Sequence, residues 1–156
     1  MKTKPSITES FEKWAEDLTR YATVLVGADD AVDVVNQAFV DVMASGHWNN
    51  PEVIDPKRYL YRATLNAARG MRRAQTRREA REWRTRPEQV MHLELLADPK
   101  IIEAVNALSV GQRAVIYLAY WEDMTPASIA SFLGVRDGTV RRQLARGRAS
   151  LRKALA

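Results

Sequence analysis

Apolar residues recur at spacings of three and four positions along most of this chain, which is the repeat of an α-helix with one buried face. The first such stripe covers residues 10–26 and stops at Gly27, and the second covers residues 31–42. A third helix is expected after Pro56, and a later one over residues 110–121. No alternating run of apolar and polar residues lies between turn residues, as a β-strand would require. The sequence therefore predicts an all-α fold.

Two small helical domains are predicted, because a less regular, proline-containing segment separates two helical halves. The first domain is assigned to residues 1–84, the linker to residues 85–97 and the second domain to residues 98–156. Each domain alone has a modest core, so we expect its helices to pack efficiently.

Short polar residues predict where the helices begin, because their side chains accept hydrogen bonds from the first backbone N–H groups. Asp29 or Asp30 is predicted to cap the second helix, and Asp137 to cap the last one. Asp98 and Thr125 are each followed by a proline, which favours the first helical position, so both are also predicted to be caps.

Positive charge is concentrated in two blocks. Residues 69–86 hold eight arginines against two glutamates, and residues 136–153 hold seven basic residues against one aspartate. The net charge of the whole chain is only +5, so the remainder is acidic. Such blocks can be solvated helix faces, but two of them, each on a predicted helix, favour two contacts with a polyanion, and the acidic remainder indicates a separate surface for another partner.

The residues that metal sites and enzymes need are scarce. The chain has no cysteine, and its two histidines, His47 and His92, lie far apart without a supporting motif. We find no nucleophile–base pair, metal-ligand spacing or phosphate-binding glycine loop, so we expect neither an enzyme nor a cofactor. No apolar run is long enough to span a membrane, and the N-terminus has no apolar signal segment, so the sequence predicts a cytoplasmic protein without membrane insertion.

A sharp turn between two helices is predicted near the C-terminus. Ala130 provides a small residue where the helices cross, Gly134 provides the left-handed turn, and Val140 fills the angle between them. This spacing is that of a helix-turn-helix, although helical hairpins that bind nothing share it. The second helix favours DNA binding, because a helix fits the major groove and arginine can contact guanine. The residues placed to face a groove are Arg141, Arg142, Gln143, Arg146 and Arg148.

Two parts of the chain resemble a known family. The stretches DAVDVVNQAFVDVM and PKRYLYRATLNAARGMRRAQTRR are similar to region 2 of bacterial RNA polymerase sigma factors. The stretch ALSVGQRAVIYLAYWEDMTPASIASFLGVRDGTVRRQLARGRASLRKAL is similar to region 4. The resemblance covers residues 9–81 and 101–155 and, because the other sigma regions are missing, is to the compact extracytoplasmic-function (ECF, group IV) type.

The resemblance implies a non-enzymatic subunit that binds core RNA polymerase and promoter DNA and directs transcription initiation. Asp33, Asn36 and Gln37 would contact the polymerase. Tyr59, Tyr61 and Asn66 would hold the melted −10 element, with phosphates contacted by Arg62, Arg69, Arg72 and Arg73. In the −35 major groove the matching residues are Arg141, Arg142 and Arg146, with Thr139 and Arg148 supporting the DNA backbone.

Two departures from the family pattern keep alternatives open. The family more often has Gln-Glu where Asn36 and Gln37 stand, and Trp where Tyr59 stands. Asp33 is equally well explained as a solvated or capping acid, and at least one tyrosine is expected in the core. The alternatives are a helix-turn-helix regulator that acts without polymerase, and a polymerase-binding protein that has lost initiation. Whether an anti-sigma factor also binds is left open by the sequence.

Overall fold

The computed structural model describes residues 5–50, 55–82 and 98–156. In these ranges every regular element is helical, which confirms the predicted all-α class. Besides a short 3₁₀ turn at His47–Asn49, the helices are α1 (Ile7–Val26), α2 (Ala28–Ser45), α3 (Pro56–Glu82), α4 (Pro99–Asn106), α5 (Val110–Tyr120), α6 (Pro126–Leu133) and α7 (Asp137–Leu155). The predicted linker, residues 85–97, lies outside the described residues.

Helices α1 and α2 are joined by a single residue, Gly27. Its φ of 95° and ψ of 162° lie in a region that residues with a side chain disfavour. Gly27 is both the C-cap of α1 and the N-cap of α2. The prediction that Asp29 or Asp30 caps α2 is therefore wrong, because α2 begins directly after Gly27 and has no side-chain cap. Both aspartates lie in the first turn instead, where the helix dipole favours negative charge.

Helix α3 begins at Pro56 as predicted and continues without a break into the arginine-rich block. One face of its first half is buried against α1 and α2 through Leu60, Leu65 and Ala68. From Thr76 onwards the described side chains are exposed. The helix therefore joins a packed half to a basic half that projects into solvent.

The second group of helices begins with caps that the sequence predicts correctly. The Asp98 carboxylate accepts a hydrogen bond from the Lys100 backbone N–H at 2.9 Å, and the Thr125 hydroxyl accepts one from Ser128 at 3.1 Å. Helix α7 differs, because its cap is Arg136 and Asp137 is already its first residue. The prediction that Asp137 caps α7 is wrong, since its carboxylate instead pairs with Arg141 one turn later at 3.3 Å.

The helix-turn-helix geometry is confirmed between α6 and α7. Gly134 has a φ of 69° and a ψ of 34°, the left-handed conformation predicted for it. Ile129 and Val140 are fully buried and Ala130 is 6% exposed, so the small residue and the β-branched residue fill the crossing. The turn thereby fixes the angle at which α7 leaves the bundle.

The two groups of helices pack against each other and share one apolar core. Helix α5 packs on α1 and α3, and α6 packs on α3. Tyr21 of α1 has its ring centroid 5.2 Å from that of Tyr117 in α5, and both side chains are buried. The contact between the groups is thus formed by apolar and aromatic side chains that would be exposed to solvent if the groups were apart.

Replacing Gly134 with alanine should lower the free energy of unfolding by about 1–2 kcal/mol, because alanine resists left-handed backbone. The added Cβ would also lie 2.6 Å from an Arg62 guanidinium nitrogen, so that side chain must move. Gly138→Ala is the matched control, because it lies inside α7 with open space around it and should be neutral or stabilising. Urea unfolding of both variants measures the difference, and equal stabilities would contradict the assigned role of Gly134.

Candidate nucleic-acid interface

The outward face of α7 carries the basic side chains that the sequence predicts for the major groove. Val140, Leu144 and Gly147 of this helix are buried against the other helices. Arg142 and Arg146 lie on the opposite side and are exposed. A helix with a buried inner face and two free guanidinium groups outside can enter a groove without rearranging its own packing.

Two other predicted arginines flank this outer face and have partners within the chain. The Arg141 Nε lies 3.3 Å from an Asp137 carboxylate oxygen. The Arg148 Nε donates a hydrogen bond to the Tyr120 hydroxyl at 2.8 Å, and its guanidinium lies 5.6 Å from the centre of that ring. These contacts orient both side chains along the sides of α7. Both residues are nonetheless exposed.

Gln143 and Thr139 lie closer to the body of the protein than the sequence suggests. Both are half-buried. The Gln143 amide packs over Gly111 at the start of α5 so closely that a Cβ there would lie 2.7 Å from its Nε2 atom, with Arg69 of α3 3.3 Å from the same point. Gln143 therefore faces the contact between the helix groups and is separated from Arg142 and Arg146.

The predicted base-stacking tyrosines of α3 do not share one exposed face. Tyr61 is fully buried, with ring centroids 4.8 Å from Tyr21 and 5.4 Å from Phe132. Its hydroxyl donates to a Glu122 carboxylate oxygen at 3.2 Å, and burial raises its pKa. Tyr61 shares a helix face with the buried Leu65, so its ring has no exposed face on which a base could stack in this structure, and its predicted role in base stacking stays a prediction.

Tyr59 and Asn66 are placed differently from Tyr61. Tyr59 is half-buried and meets Trp48 edge to face, with centroids 5.9 Å apart. Asn66 is exposed on the solvent side of α3, so its amide is free to meet a ligand. Of the two residues expected to hold unpaired bases, Tyr59 therefore has a partly covered ring and Asn66 has an accessible amide.

The predicted phosphate-binding arginines of α3 fall into two groups. Arg72 and Arg73 are exposed, as a phosphate contact requires. Arg62 instead donates to the backbone oxygens of Phe132 at 2.9 Å and Ser131 at 3.1 Å, at the C-terminal end of α6. Burial lowers the pKa of Arg62, and the neighbouring Arg58 lowers it further. Arg69 is half-buried near the start of α5. Two of these four arginines, Arg62 and Arg69, therefore lie at the contact between the helix groups.

Helix α2 presents an exposed face of polar and apolar side chains. Asp33, Asn36 and Gln37 are all exposed, and Gln37 donates to Asp41 at 2.8 Å. Sequence reasoning missed the apolar residues beside them: Val32, Val40 and Met43 are 56%, 54% and 57% exposed. Their signal is present in the sequence, because the apolar residues of α2 occupy more than the single stripe that the core needs. Exposed apolar groups among polar ones are typical of a protein contact.

Sequence reasoning also missed Arg113, a buried arginine of α5 that is 3% exposed. Its guanidinium donates to four backbone oxygens, those of Val105, Leu108, Asn106 and, across the contact between helix groups, Leu25. Burial lowers its pKa to about 10, and Arg72 contributes to the shift, so the side chain is still charged near neutral pH. It donates to carbonyls at and just beyond the ends of α4 and α1, where the helices supply fewer backbone donors.

The parts of the chain that the structure describes contain no cluster of three or more acidic or histidine side chains able to hold a metal ion. Within the same ranges, no helix is both long and apolar enough to cross a bilayer.

A model of the family described as Sigma-70, region 4, matches residues 99–151, which include α4 to α6 and most of α7. The ECF RNA polymerase sigma factor SigL of Mycobacterium tuberculosis is 35% identical over 147 residues, which cover 86% of this chain and 80% of that protein. This chain belongs to the ECF RNA polymerase sigma factors. The predicted resemblance to ECF sigma factors is confirmed, with region 4 matched by the family model.

Solved structures agree on the fold of this sigma factor. The sigma factor RpoE of Bartonella quintana, in complex with the anti-sigma factor NepR, matches with a TM-score of 0.71 over 95% of each chain, at 21% identity. CnrH, in complex with the cytosolic domain of CnrY, matches with a TM-score of 0.59 at 23% identity, over 96% of this chain and 86% of that one. The all-α fold is therefore shared with both of these structures.

Proposed function

We propose that this sigma factor binds core RNA polymerase and directs transcription initiation at promoters that it contacts through two units. The observation that supports the proposal most strongly is the free outer face of α7, where Arg142 and Arg146 project from a helix-turn-helix within the region 4 match. One or both guanidinium groups would contact base edges of a −35 element, while Thr139, Arg141 and Arg148 at the sides of α7 would contact its phosphates.

The first unit, residues 1–84, would bind polymerase through α2 and the −10 element through α3. Asp33, Asn36 and Gln37 would provide the polar part of the polymerase contact. Val32, Val40 and Met43 would provide its apolar part, because these side chains are more than half exposed beside them. Asn66 and Tyr59 would hold unpaired bases, and Arg72 and Arg73 would contact phosphates. The second unit, residues 98–156, would follow a linker over residues 85–97.

An anti-sigma factor is proposed as a further partner. NepR is bound to the similar sigma factor RpoE, and a cytosolic domain of CnrY is bound to CnrH. The exposed apolar groups of α2 and the apolar groove beside α7, formed by Tyr120, Leu151 and Leu155, are surfaces that such a protein could cover.

Run-off transcription with purified core polymerase tests the proposed function. Genomic fragments transcribed by core enzyme plus this chain, but not by core enzyme alone, are the expected result. Core binding without promoter-dependent product would instead identify a polymerase-binding protein that has lost initiation. Tight binding to duplex DNA with no capture of core enzyme would identify a polymerase-independent regulator.

Replacing Asn66 with alanine should reduce the open-complex fraction about tenfold and leave closed-complex binding within about twofold, because a base contact is worth about 1–3 kcal/mol. Permanganate reactivity of unpaired thymines measures the open complex, and footprinting at low temperature measures the closed one. Thr76→Ala on the exposed part of the same helix is the matched control and should change neither. A defect confined to duplex binding would contradict the assigned role of Asn66.

A further inference from the structure

The two basic helices of this chain, α3 and α7, advance in the same direction past two points of contact. Just before α7 begins, a Cβ on Gly134 would lie 2.6 Å from the Arg62 guanidinium of α3. Further along, a Cβ on Gly111 would lie 2.7 Å from the Gln143 amide of α7 and 3.3 Å from the Arg69 guanidinium of α3. Both contacts move towards the C-terminal end of each helix, so α3 and α7 meet again near Gly111.

Exposed arginines border this meeting point on both helices. The α3 side chains in question lie within about one turn of Arg69, and those of α7 lie within about one turn of Gln143. The four exposed guanidinium groups are those of Arg72, Arg73, Arg142 and Arg146. We call these four residues the joint basic surface.

Little negative charge offsets the joint basic surface. Helix α7 carries six basic residues against one aspartate, and residues 69–82 of α3 carry six arginines against two glutamates. The aspartate of α7, Asp137, is already paired with Arg141. Burial and, as a smaller cause, the charge of Arg72 lower the pKa of Arg113 in α5. Positive charge is therefore concentrated here strongly enough to act on neighbouring groups and to attract a polyanion.

The polyanion is better matched by a nucleic acid than by a protein. Among the described residues, the large apolar side chains that are exposed lie on α2 and at the C-terminal ends of α5 and α7, away from the four arginines. The centre of a protein interface is usually apolar and poor in charge. Guanidinium groups bind phosphate oxygens in a fixed, often bidentate geometry.

We propose that the joint basic surface lets this chain, without polymerase, bind one stretch of duplex DNA of any sequence across both helices. This activity goes beyond the proposed function, in which each helix contacts its own promoter element together with polymerase. A duplex presents two rows of phosphates, with about one charge per 1.7 Å of its axis, so two neighbouring helices can each contact it. Contacts to phosphates alone carry no sequence information. Binding of this kind allows a protein to slide and hop along DNA.

The salt dependence of binding to a short labelled duplex of random sequence tests the proposal, with fluorescence anisotropy as the readout. Each phosphate contact contributes about 0.9 to the slope of log K against log salt, so four arginines give an expected slope of about −3.6. Arg72→Gln combined with Arg73→Gln should reduce the slope to about −1.8 and weaken binding about tenfold. Arg142→Gln combined with Arg146→Gln should do the same.

The matched control removes two positive charges from elsewhere on the surface. Lys13 of α1 and Lys100 of α4 are both exposed, and Lys13→Gln combined with Lys100→Gln should leave the slope unchanged. Analytical ultracentrifugation should show one duplex bound per chain. Two duplexes per chain, or a wild-type slope that the α3 variant leaves unchanged, would mean that the helices bind separately and would overturn the joint surface.

A cross-link tests whether the surface exists in this arrangement of the helices. The chain has no cysteine, so Arg69→Cys and Gln143→Cys provide the two attachment points for a short bismaleimide. The cross-linked chain should bind the random duplex as tightly as the same variant before cross-linking. Failure of the two positions to cross-link within one chain, or loss of binding after cross-linking, would contradict the proposal.

Competitors identify the ligand. Promoter and scrambled duplexes should compete equally, whereas single-stranded DNA and polyglutamate should compete less well. Stronger competition by polyglutamate would indicate an acidic protein partner and overturn the assignment to DNA. No step needs polymerase, so failed run-off transcription would remove the proposed function alone, and promoter-dependent transcription by a chain that does not bind the random duplex would remove this inference alone.

Discussion

Replacing Arg113 with methionine should lower the free energy of unfolding by about 3–5 kcal/mol, because buried carbonyls that lose their donors each cost about 1–3 kcal/mol. The guanidinium donates to four backbone oxygens, of which that of Val105 also accepts a bond from the Leu108 backbone N–H, and methionine fills the volume without offering a donor. The lost hydrogen bonds would destabilise α4, α5 and the last turn of α1 together, because the guanidinium connects all three. Urea unfolding followed by circular dichroism measures it.

Arg77→Met is the control for Arg113, because Arg77 is exposed on α3. This surface change should alter stability by no more than about 0.5 kcal/mol. If both variants lose the same small amount, Arg113 does not join the two helix groups in the way that its hydrogen bonds indicate.

Replacing Arg142 with alanine should weaken binding of the holoenzyme to its −35 element about 10- to 100-fold, because a bidentate contact with a base is worth about 1–3 kcal/mol. Arg142 points away from the buried face of α7 and is exposed. Affinity for core polymerase should be unchanged, since the polymerase contact that we propose for α2 lies on the other unit. Competition binding with cognate and scrambled −35 duplexes measures the loss of specificity.

Arg152→Ala removes the same charge from the same helix, at the edge of the groove beside Tyr120. It should weaken cognate and scrambled duplexes equally, and by less than about threefold, because a phosphate contact carries no sequence information. The role of Arg142 in reading bases would be refuted if its loss also affected both duplexes equally.

The sequence predicted the features of the fold that depend on local chemistry. Helix periodicity, the proline-preceding caps Asp98 and Thr125, and the left-handed turn at Gly134 each depend on a few neighbouring residues. The wrong caps, Asp29 or Asp30 and Asp137, show the limit of that approach. The cap of α7 is Arg136, one residue before Asp137, and the cap of α2 is Gly27, two residues before Asp29 and three before Asp30.

The parts of the site that sequence reasoning missed depend on contacts between distant segments. A helical wheel indicates that Tyr61 faces inward with Leu65, but not that Phe132 and Glu122 cover it. From the sequence alone, Arg113 would be predicted to be a surface cation, because its four carbonyl partners come from other segments of the chain. The placement of these residues is set by how the second helix group packs on the first, and no short stretch of sequence encodes that packing.

The length of α3 has a consequence for promoters of this sigma factor. Its 27 residues form one rod of about 40 Å, at about 1.5 Å per residue. Asn66 near the middle and the arginines beyond it lie on this one rod, so under the proposed function the spacing between a base held at Asn66 and the phosphates held by Arg72 and Arg73 would be fixed. Inserting a single nucleotide between those two points should therefore be tolerated far less well than changing the distance between the promoter elements.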